Sequence, residues 1–286
     1  MNLREEIKTY AFNPLPVEIE VKDLAFIRQV PHILGQPHKA QFYQILWVKT
    51  GSLTCHIDFE PVTIQANQLL VITAGQVCEF DLTSTYTGRL VLFTASFFTR
   101  TEEDSNFLHT AEILSLVGSN KKVFVSACMI EHLFVLLEKE LATEIDPFQL
   151  AIAQNYLRIV LLEAERQVKP APVLTTKTIT QNFYKAIESH FKENRNINYY
   201  AELLGISEKK LTQEVKHVTG STPKVCLDAR VILEAKRLLS YSVLSIKELS
   251  FALGFDESTN FIKYFRKHTH VTPQVFRDNQ RKKNQR

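Results

Sequence analysis

The stretch 252–273, ALGFDESTNFIKYFRKHTHVTP, concentrates side chains suited to gripping a polyanion. Ser258, Thr259, Lys263 and Lys267 share one helical face, with Arg266 beside them. Hydroxyls donate and accept hydrogen bonds, lysine suits the acceptor edge of guanine, and both basic types bind phosphate oxygens. A charge run of this kind is most often a solvated helix face, so its meaning depends on the rest of the chain. Residues 197–223, INYYAELLGISEKKLTQEVKHVTGSTP, repeat it. Ile197 aligns with Ile246 and Leu204-Gly205-Ile206 with Leu253-Gly254-Phe255, both at an offset of 49. One inserted residue makes the offset 50, which pairs Leu211 with Phe261, Val215 with Phe265, Lys216 with Arg266 and Thr222-Pro223 with Thr272-Pro273. The polar face of the earlier copy is Lys209, Thr212, Gln213 and Lys216.

Each copy has the parts of a helix-turn-helix. A short helix buries Ile197, Ala201 and Leu204 in one and Ile246, Leu249 and Leu253 in the other. Gly205 and Gly254 permit the positive φ of a sharp turn between helices. Ser207 and Asp256 are the expected N-caps of the following helix. Within it, Leu211/Val215 and Phe261/Phe265 recur at i, i+4 and face the core. Thr-Pro then opens the next helix, threonine as cap and proline as first residue. Between the copies, VCLDARVILEAKRLLSYS predicts a stiff helix of roughly 16 residues, about 24 Å long. Two helices held by such a spacer suit successive major grooves about 34 Å apart.

Charge supports this. Residues 1–173 hold 14 Lys and Arg against 20 Asp and Glu, a balance of −6; residues 174–286 hold 20 against 11, a balance of +9. The +3 of the whole chain conceals that asymmetry, which marks a polyanion-binding module joined to something else.

The first part of the chain, from about residue 17 to 100, alternates in short runs rich in β-branched and aromatic residues, such as FYQILWVKTG and RLVLFTASFF. In LTCHIDF, Leu53, Cys55, Ile57 and Phe59 are expected on one face. The pattern predicts a small antiparallel barrel or sandwich. After residue 125 the period turns helical: Ile130, Leu133, Phe134, Leu137 and Leu141 recur at three- and four-residue steps. A second helix is expected to open at Asp146 as N-cap and Pro147 as first residue. Its stripe of Leu150, Ala153, Leu157, Val160, Leu161 and Ala164 suits either the barrel or a second copy of itself. VKPAPVLTTK, residues 168–177, reads as a linker. Cys55, Cys78, Cys128 and Cys226 are widely spaced and form no CxxC pair, which fits a reducing compartment. The start carries no apolar signal-peptide core and no run is long enough for a membrane span, so a cytoplasmic protein is expected.

Residues 178–286 resemble the DNA-binding domain of AraC/XylS-type transcriptional regulators. LGF, NFIKYFRK and TPQVFR in the second copy carry the resemblance most specifically. It implies an α+β protein of two domains: an N-terminal cupin-like antiparallel β-barrel with helices, and a C-terminal all-α domain with two helix-turn-helix units. The expected divisions are a sensing barrel over 1–125, a helical dimerisation region over 126–167, the linker, and the DNA-binding domain over 178–286. Double-stranded DNA, RNA polymerase, a second copy of the chain and an unidentified small effector are the implied partners. Base contacts are expected from Lys209, Thr212, Gln213, Ser258, Thr259 and Lys263, and phosphate contacts from Lys216, Arg266 and Lys267. One departure is His270, where the family has glycine; Gly220 keeps it in the first copy. The position ends a helix and calls for a left-handed residue, which histidine tolerates at a small stability cost.

Cupin barrels elsewhere hold catalytic metals with two His and a Glu on one strand pair and a later His. His38 is present here, but the other positions read Ala40, Gln44 and Cys78. One imidazole, an amide and an isolated thiol form a poor divalent-metal site, so no metal, no cofactor and no enzymatic activity are expected. A metal-dependent cupin enzyme with a nucleic-acid-binding appendage is the rival reading. His38, Gln44, Trp47 and Cys78 remain candidates for lining an effector pocket, by analogy with barrel interiors. No phosphate loop or nucleophile elbow occurs.

Overall fold

The computed structural model describes residues 8–12, 18–30, 33–114, 122–144, 146–168 and 177–283. These fall into two units, residues 8–168 and residues 177–283. Strands β1 (Lys8–Tyr10), β2 (Ile19–Asp23), β3 (His38–Ala40), β4 (Tyr43–Ile57), β5 (Glu60–Gln65), β6 (Gln68–Ile72), β7 (Val77–Phe80) and β8 (Tyr86–Phe93) open the first unit. Helices α1 (Ala95–Phe98) and α2 (Glu102–Thr110), strand β9 (Lys122–Phe124), and helices α3 (Ala127–Ala142) and α4 (Gln149–Gln167) complete it.

The barrel turns on β4. Its first half pairs with β6 and β8, with Gln44 opposite Ile72 and Leu92. Its second half pairs with β5 and β7, with Cys55 opposite Val62 and Phe80. The register shifts between Val48 and Thr50, a bulge that bends the strand so that it belongs to both walls. The bulge also changes which residues face inward. Leu46 and Val48 before it, and Leu53, Cys55 and Ile57 after it, join one interior cluster with Leu70 and Phe80. Ile45 and Trp47 face the other way, into a cluster with Phe134 and Leu137 of α3 and Leu157 and Leu161 of α4. Pairing between these strands is antiparallel as expected except that β1 runs parallel to β3, Lys8 opposite His38, and Leu34 makes a parallel bridge to Phe80. The long connection from β1 to β3 carries the chain back to the same end, as parallel pairing requires.

Three expectations change in this unit. Phe59 does not continue the buried face of β4, because the strand ends at Ile57 and Phe59 lies in the hairpin turn at φ +79°. Helix α4 begins at Gln149 rather than Pro147; the Asp146 carboxylate still accepts from the backbone N–H of Phe148 at 2.7 Å and of Gln149 at 2.8 Å. The α4 stripe of Ala153, Leu157, Val160, Leu161 and Ala164 is wholly buried against the barrel and α3, so it is not the face left for a second copy. Residues 169–176 of the expected linker lie outside the described residues.

The second unit contains α5 (Lys177–His190), α6 (Ile197–Leu203), α7 (Glu208–Thr219), α8 (Pro223–Tyr241), α9 (Ile246–Ala252), α10 (Ser258–Thr269) and α11 (Pro273–Lys283). One continuous core runs through it, from Phe183 and Tyr200 past Leu211 and Val231 to Phe261 and Phe265. The duplication seen in the sequence reaches individual hydrogen bonds. Ile206 N–H donates to Ala201 O at 3.0 Å, and Phe255 N–H to Ser250 O at 2.9 Å, closing the two turns alike. Thr219 and Thr269 each donate to the carbonyl four residues back at 2.8 Å. Thr222 and Thr272 accept from the N–H of Val225 and Val275. Gly220 at φ +71° and His270 at φ +63° both end their helices left-handed. The spacer α8 is 19 residues, about 28 Å, with Thr222 as its cap and Pro223 as its first residue, as the sequence leads one to expect.

Candidate nucleic-acid interface and ligand pocket

Helices α7 and α10 each bury two residues, Leu211 with Val215 and Phe261 with Phe265, and turn the opposite side to solvent. Lys209, Gln213 and Lys216 lie exposed on α7, and Thr259, Lys263, Arg266 and Lys267 on α10. Thr212 and Ser258 are half-buried on the flanks of their helices rather than at the centre of the outer faces. The Thr259 hydroxyl donates to the Glu257 carboxylate at 3.0 Å. Further exposed residues on these helices are Lys210 and His217, with Glu208, on α7 and Asn260, with His268, on α10. The repeat itself signals Lys210, His217 and Asn260, since offset 50 pairs Lys210 with Asn260 and His217 with Lys267. No carboxylate among the described residues pairs with Lys209, Lys210, Lys216, Lys263, Arg266 or Lys267, so their charges stand open to a polyanion.

The start of α10 corrects one cap. Ser207 accepts from Lys210 N–H at 3.2 Å as expected, but Asp256 does not cap; Glu257 holds the N-cap position without a side-chain bond. The inserted residue lies before the helix, so Ser207 corresponds to Glu257 and not to Asp256.

The two copies are anchored differently. On the inner flank of α10, the Tyr264 hydroxyl donates to Asp228 of α8 at 2.7 Å, and the same carboxyl pairs with Lys224 at 2.8 Å. His268 lies 3.7 Å from Asp228 and its ring sits 4.6 Å from that of Tyr264. Burial, then the bond to Asp228, pushes the Tyr264 hydroxyl well above the usual tyrosine range. The loop between α5 and α6 laps over the second turn. Arg195 stacks on the Phe255 ring at 3.3 Å and donates to Leu253 O. A Cβ on Gly254 would stand 1.6 Å from Lys192 O, whereas one on Gly205 would meet nothing within 4 Å. On the other side Arg230 of α8 binds Glu188 of α5 at 2.8 Å and Glu234 at 3.0 Å.

In the first unit a pocket of about 340 Å³ opens beside β2, β3, β4 and β8. His38, Ala40 and Gln44 line it, with Leu90 and Leu92. Cys78 stands behind them: its thiol is 3.1 Å from His38 Nε2, and Gln44 Nε2 donates to Cys78 Sγ at 3.9 Å. Trp47 does not reach the pocket. Its odd position on β4 turns it outward, where it packs against Phe134 at 5.7 Å between ring centroids. The remaining wall includes Lys22 of β2, Phe26 of the short 3-10 helix Leu24–Gln29 and Phe12 just after β1. Among the described residues no group of three or more His, Cys, Asp or Glu is placed to hold a metal ion. No described helix is long and apolar enough to cross a membrane.

Comparison with known proteins agrees with this layout. A profile described as AraC-like ligand binding domain matches residues 28–152, and one described as helix-turn-helix domain matches residues 200–279. The HTH-type transcriptional activator RhaS of Escherichia coli O139:H28 is 30% identical over 91 residues, 32% of this chain and 33% of that protein. The match therefore spans about a third of the length of such curated relatives. The DNA-binding domain of AdpA, solved in complex with a target DNA, is 25% identical over 37% of this chain and 94% of that one, with a TM-score of 0.34. ToxT of Vibrio cholerae is 13% identical over 91% of this chain and 97% of its own, with a TM-score of 0.41. A β-rich ligand-binding domain followed by a duplicated helix-turn-helix, each matched by its own profile, makes this chain a member of the AraC/XylS family of transcriptional regulators.

Proposed function

We propose that the protein is a sequence-specific DNA-binding transcription regulator that lays α7 and α10 in two successive major-groove segments of one duplex. The carrying observation is the pair of outward faces whose cations have no carboxylate partner, held on one core with the strut α8 between them. Lys209, Gln213, Thr259 and Lys263 would contact base edges, with Thr212 and Ser258 at the margins. Lys216, Arg266 and Lys267 sit later on their helices and suit phosphates. Thr259 would exchange its bond to Glu257 for a base.

In this reading the chain works in the cytoplasm without enzymatic activity or a bound metal, and RNA polymerase is a further partner. It pairs with a second copy through the outer faces of α3 and α4, where Met129, Leu136, Ile152, Ile159 and Leu162 are exposed. A small molecule in the pocket favours one arrangement of the first unit and so shifts how the DNA-reading units are presented.

Selection of duplexes from a random pool tests the proposal. The expected product is a site with two preferred patches about one helical turn apart. Lys263→Ala then weakens that site by about 1–3 kcal/mol and relaxes one position, while Lys267→Ala weakens all duplexes alike and lowers the salt slope by about one. Salt-dependent binding with no sequence enrichment would reduce the protein to a DNA-coating one.

A further inference from the structure

The pocket in the first unit separates its chemistry into an aromatic wall and two polar groups left open, the Gln44 carboxamide and the hydroxyl of the lining residue Tyr10, which is buried without a hydrogen-bond partner among the described residues. Phe12, Phe26 and Phe42 stand in the wall, and Phe12 meets Phe42 edge to face at 5.5 Å between centroids. Ile27, Leu90 and Leu92 add aliphatic surface. The charged groups at the pocket already answer each other. Lys22 Nζ is 2.6 Å from the Glu20 carboxylate and 4.2 Å above the Phe26 ring, so the pair adds no net charge.

The polar end is equally constrained. His38 Nδ1 lies 3.2 Å from Gln36 O, and a carbonyl only accepts, so Nδ1 carries the hydrogen. His38 Nε2 then accepts from the Cys78 thiol, which itself accepts from the Gln44 amide. Burial pulls the His38 pKa down and keeps the ring neutral. Imidazole and thiol are thus spent on each other. The second amide hydrogen and the carbonyl oxygen of Gln44 have no partner among the described residues.

We propose that this pocket binds a small uncharged aromatic molecule bearing one hydroxyl or N–H, with its ring among Phe12, Phe26 and Phe42 and its polar group on the Gln44 carboxamide. The proposal rests on the reading of the first unit as the sensing domain and names the chemistry sensed. At about 340 Å³ the pocket stands near the small end of ligand sites, the size of a one- or two-ring compound. A polyol is disfavoured because each buried hydroxyl left unpaired costs about 1–3 kcal/mol. An anion would have to draw Lys22 away from Glu20.

Calorimetric titration of the full chain tests this with p-cresol and indole as probes, against toluene, benzoate and L-arabinose. The expected order places p-cresol and indole at least about tenfold tighter than benzoate or arabinose. Gln44→Leu, close in shape, should weaken p-cresol about tenfold and leave toluene unchanged. Ala40→Trp should fill the pocket and abolish binding of every aromatic probe; if that variant does not fold, Leu92→Trp provides the same obstruction from β8. Tighter binding of benzoate, lost in Lys22→Met, would overturn the proposal in favour of an anion, and tighter arabinose in favour of a polyol. No binding of any probe at millimolar concentration by the folded chain would overturn it outright. The same samples titrated with the selected duplex separate the two readings. Aromatic binding without DNA preference removes the regulator and leaves the pocket chemistry standing; DNA preference without aromatic binding does the reverse.

Discussion

Replacing Gly254 with alanine, compared with the same change at Gly205, isolates the contact that joins the two helix-turn-helix units. Both glycines are left-handed, at φ +78° and +66°. A Cβ in that region costs about 1–2 kcal/mol, partly offset by about 0.4–1 kcal/mol because alanine also restricts the unfolded chain. Gly205→Ala, with open space around it, should therefore lose about 1 kcal/mol. At Gly254 the new carbon would fall 1.6 Å from Lys192 O and 2.8 Å from its carbonyl carbon, so the α5–α6 loop must retreat by more than an ångström. That retreat unseats Arg195 from the Phe255 ring, worth about 0.5–2 kcal/mol, and strains its charged hydrogen bond to Leu253 O, worth about 1.5–3 kcal/mol. A total loss of about 3–6 kcal/mol follows. Urea titration of the full chain, read by hydrogen exchange at amides of residues 197–269, measures both variants. Arg195→Ala should shrink the gap between them, since its contacts are then already gone. Equal losses at the two glycines would refute the reasoning.

Tyr264→Phe should cost about 1–2 kcal/mol in the same assay and reduce affinity for the selected duplex with no change in salt slope, because it frees α10 from Asp228 without removing a cation. For His38 the folded pKa lies below the ordinary value near 6.5, so the unfolded chain takes up a proton first as the pH drops. Stability of the first unit should therefore be full above about pH 6.5 and decline below it; His38→Gln should flatten that decline in melts across pH 5 to 8. Ile159→Glu, on the exposed side of α4, should leave the melting point of the first unit in place and weaken self-association by roughly 2–4 kcal/mol in sedimentation equilibrium. A dimer of undiminished strength would place the interface elsewhere.

The second unit was legible because its pattern is local and doubled. Glycine, threonine-proline and the i, i+4 apolar pairs each answer a backbone requirement within a few residues, and the second copy checks the first. Where the reading slipped, the cause was phase. The inserted residue before α10 moved the cap from Asp256 to Glu257. On β4, Trp47 and Gln44 both look like interior candidates until strand alternation assigns them opposite faces. Thr212 and Ser258 are polar yet sit half-buried on the helix flanks, while Lys210 and Asn260, aligned in the repeat, lie exposed. The pocket was hardest to foresee. His38, Gln44 and Cys78 come together by strand register, but Phe12, Phe26 and Lys22 arrive from three separate local segments, and only tertiary folding brings them to one wall.

The lap of the α5–α6 loop over Gly254 bears on which operators the protein tolerates. Inserting a base pair between two half-sites swings the farther one about 35° around the duplex axis and lengthens the gap. A reader jointed at its middle would absorb the offset, whereas one braced by Arg195 and Asp228 must bend the DNA or release one half. Spacer length in natural targets should accordingly vary less than the bases themselves.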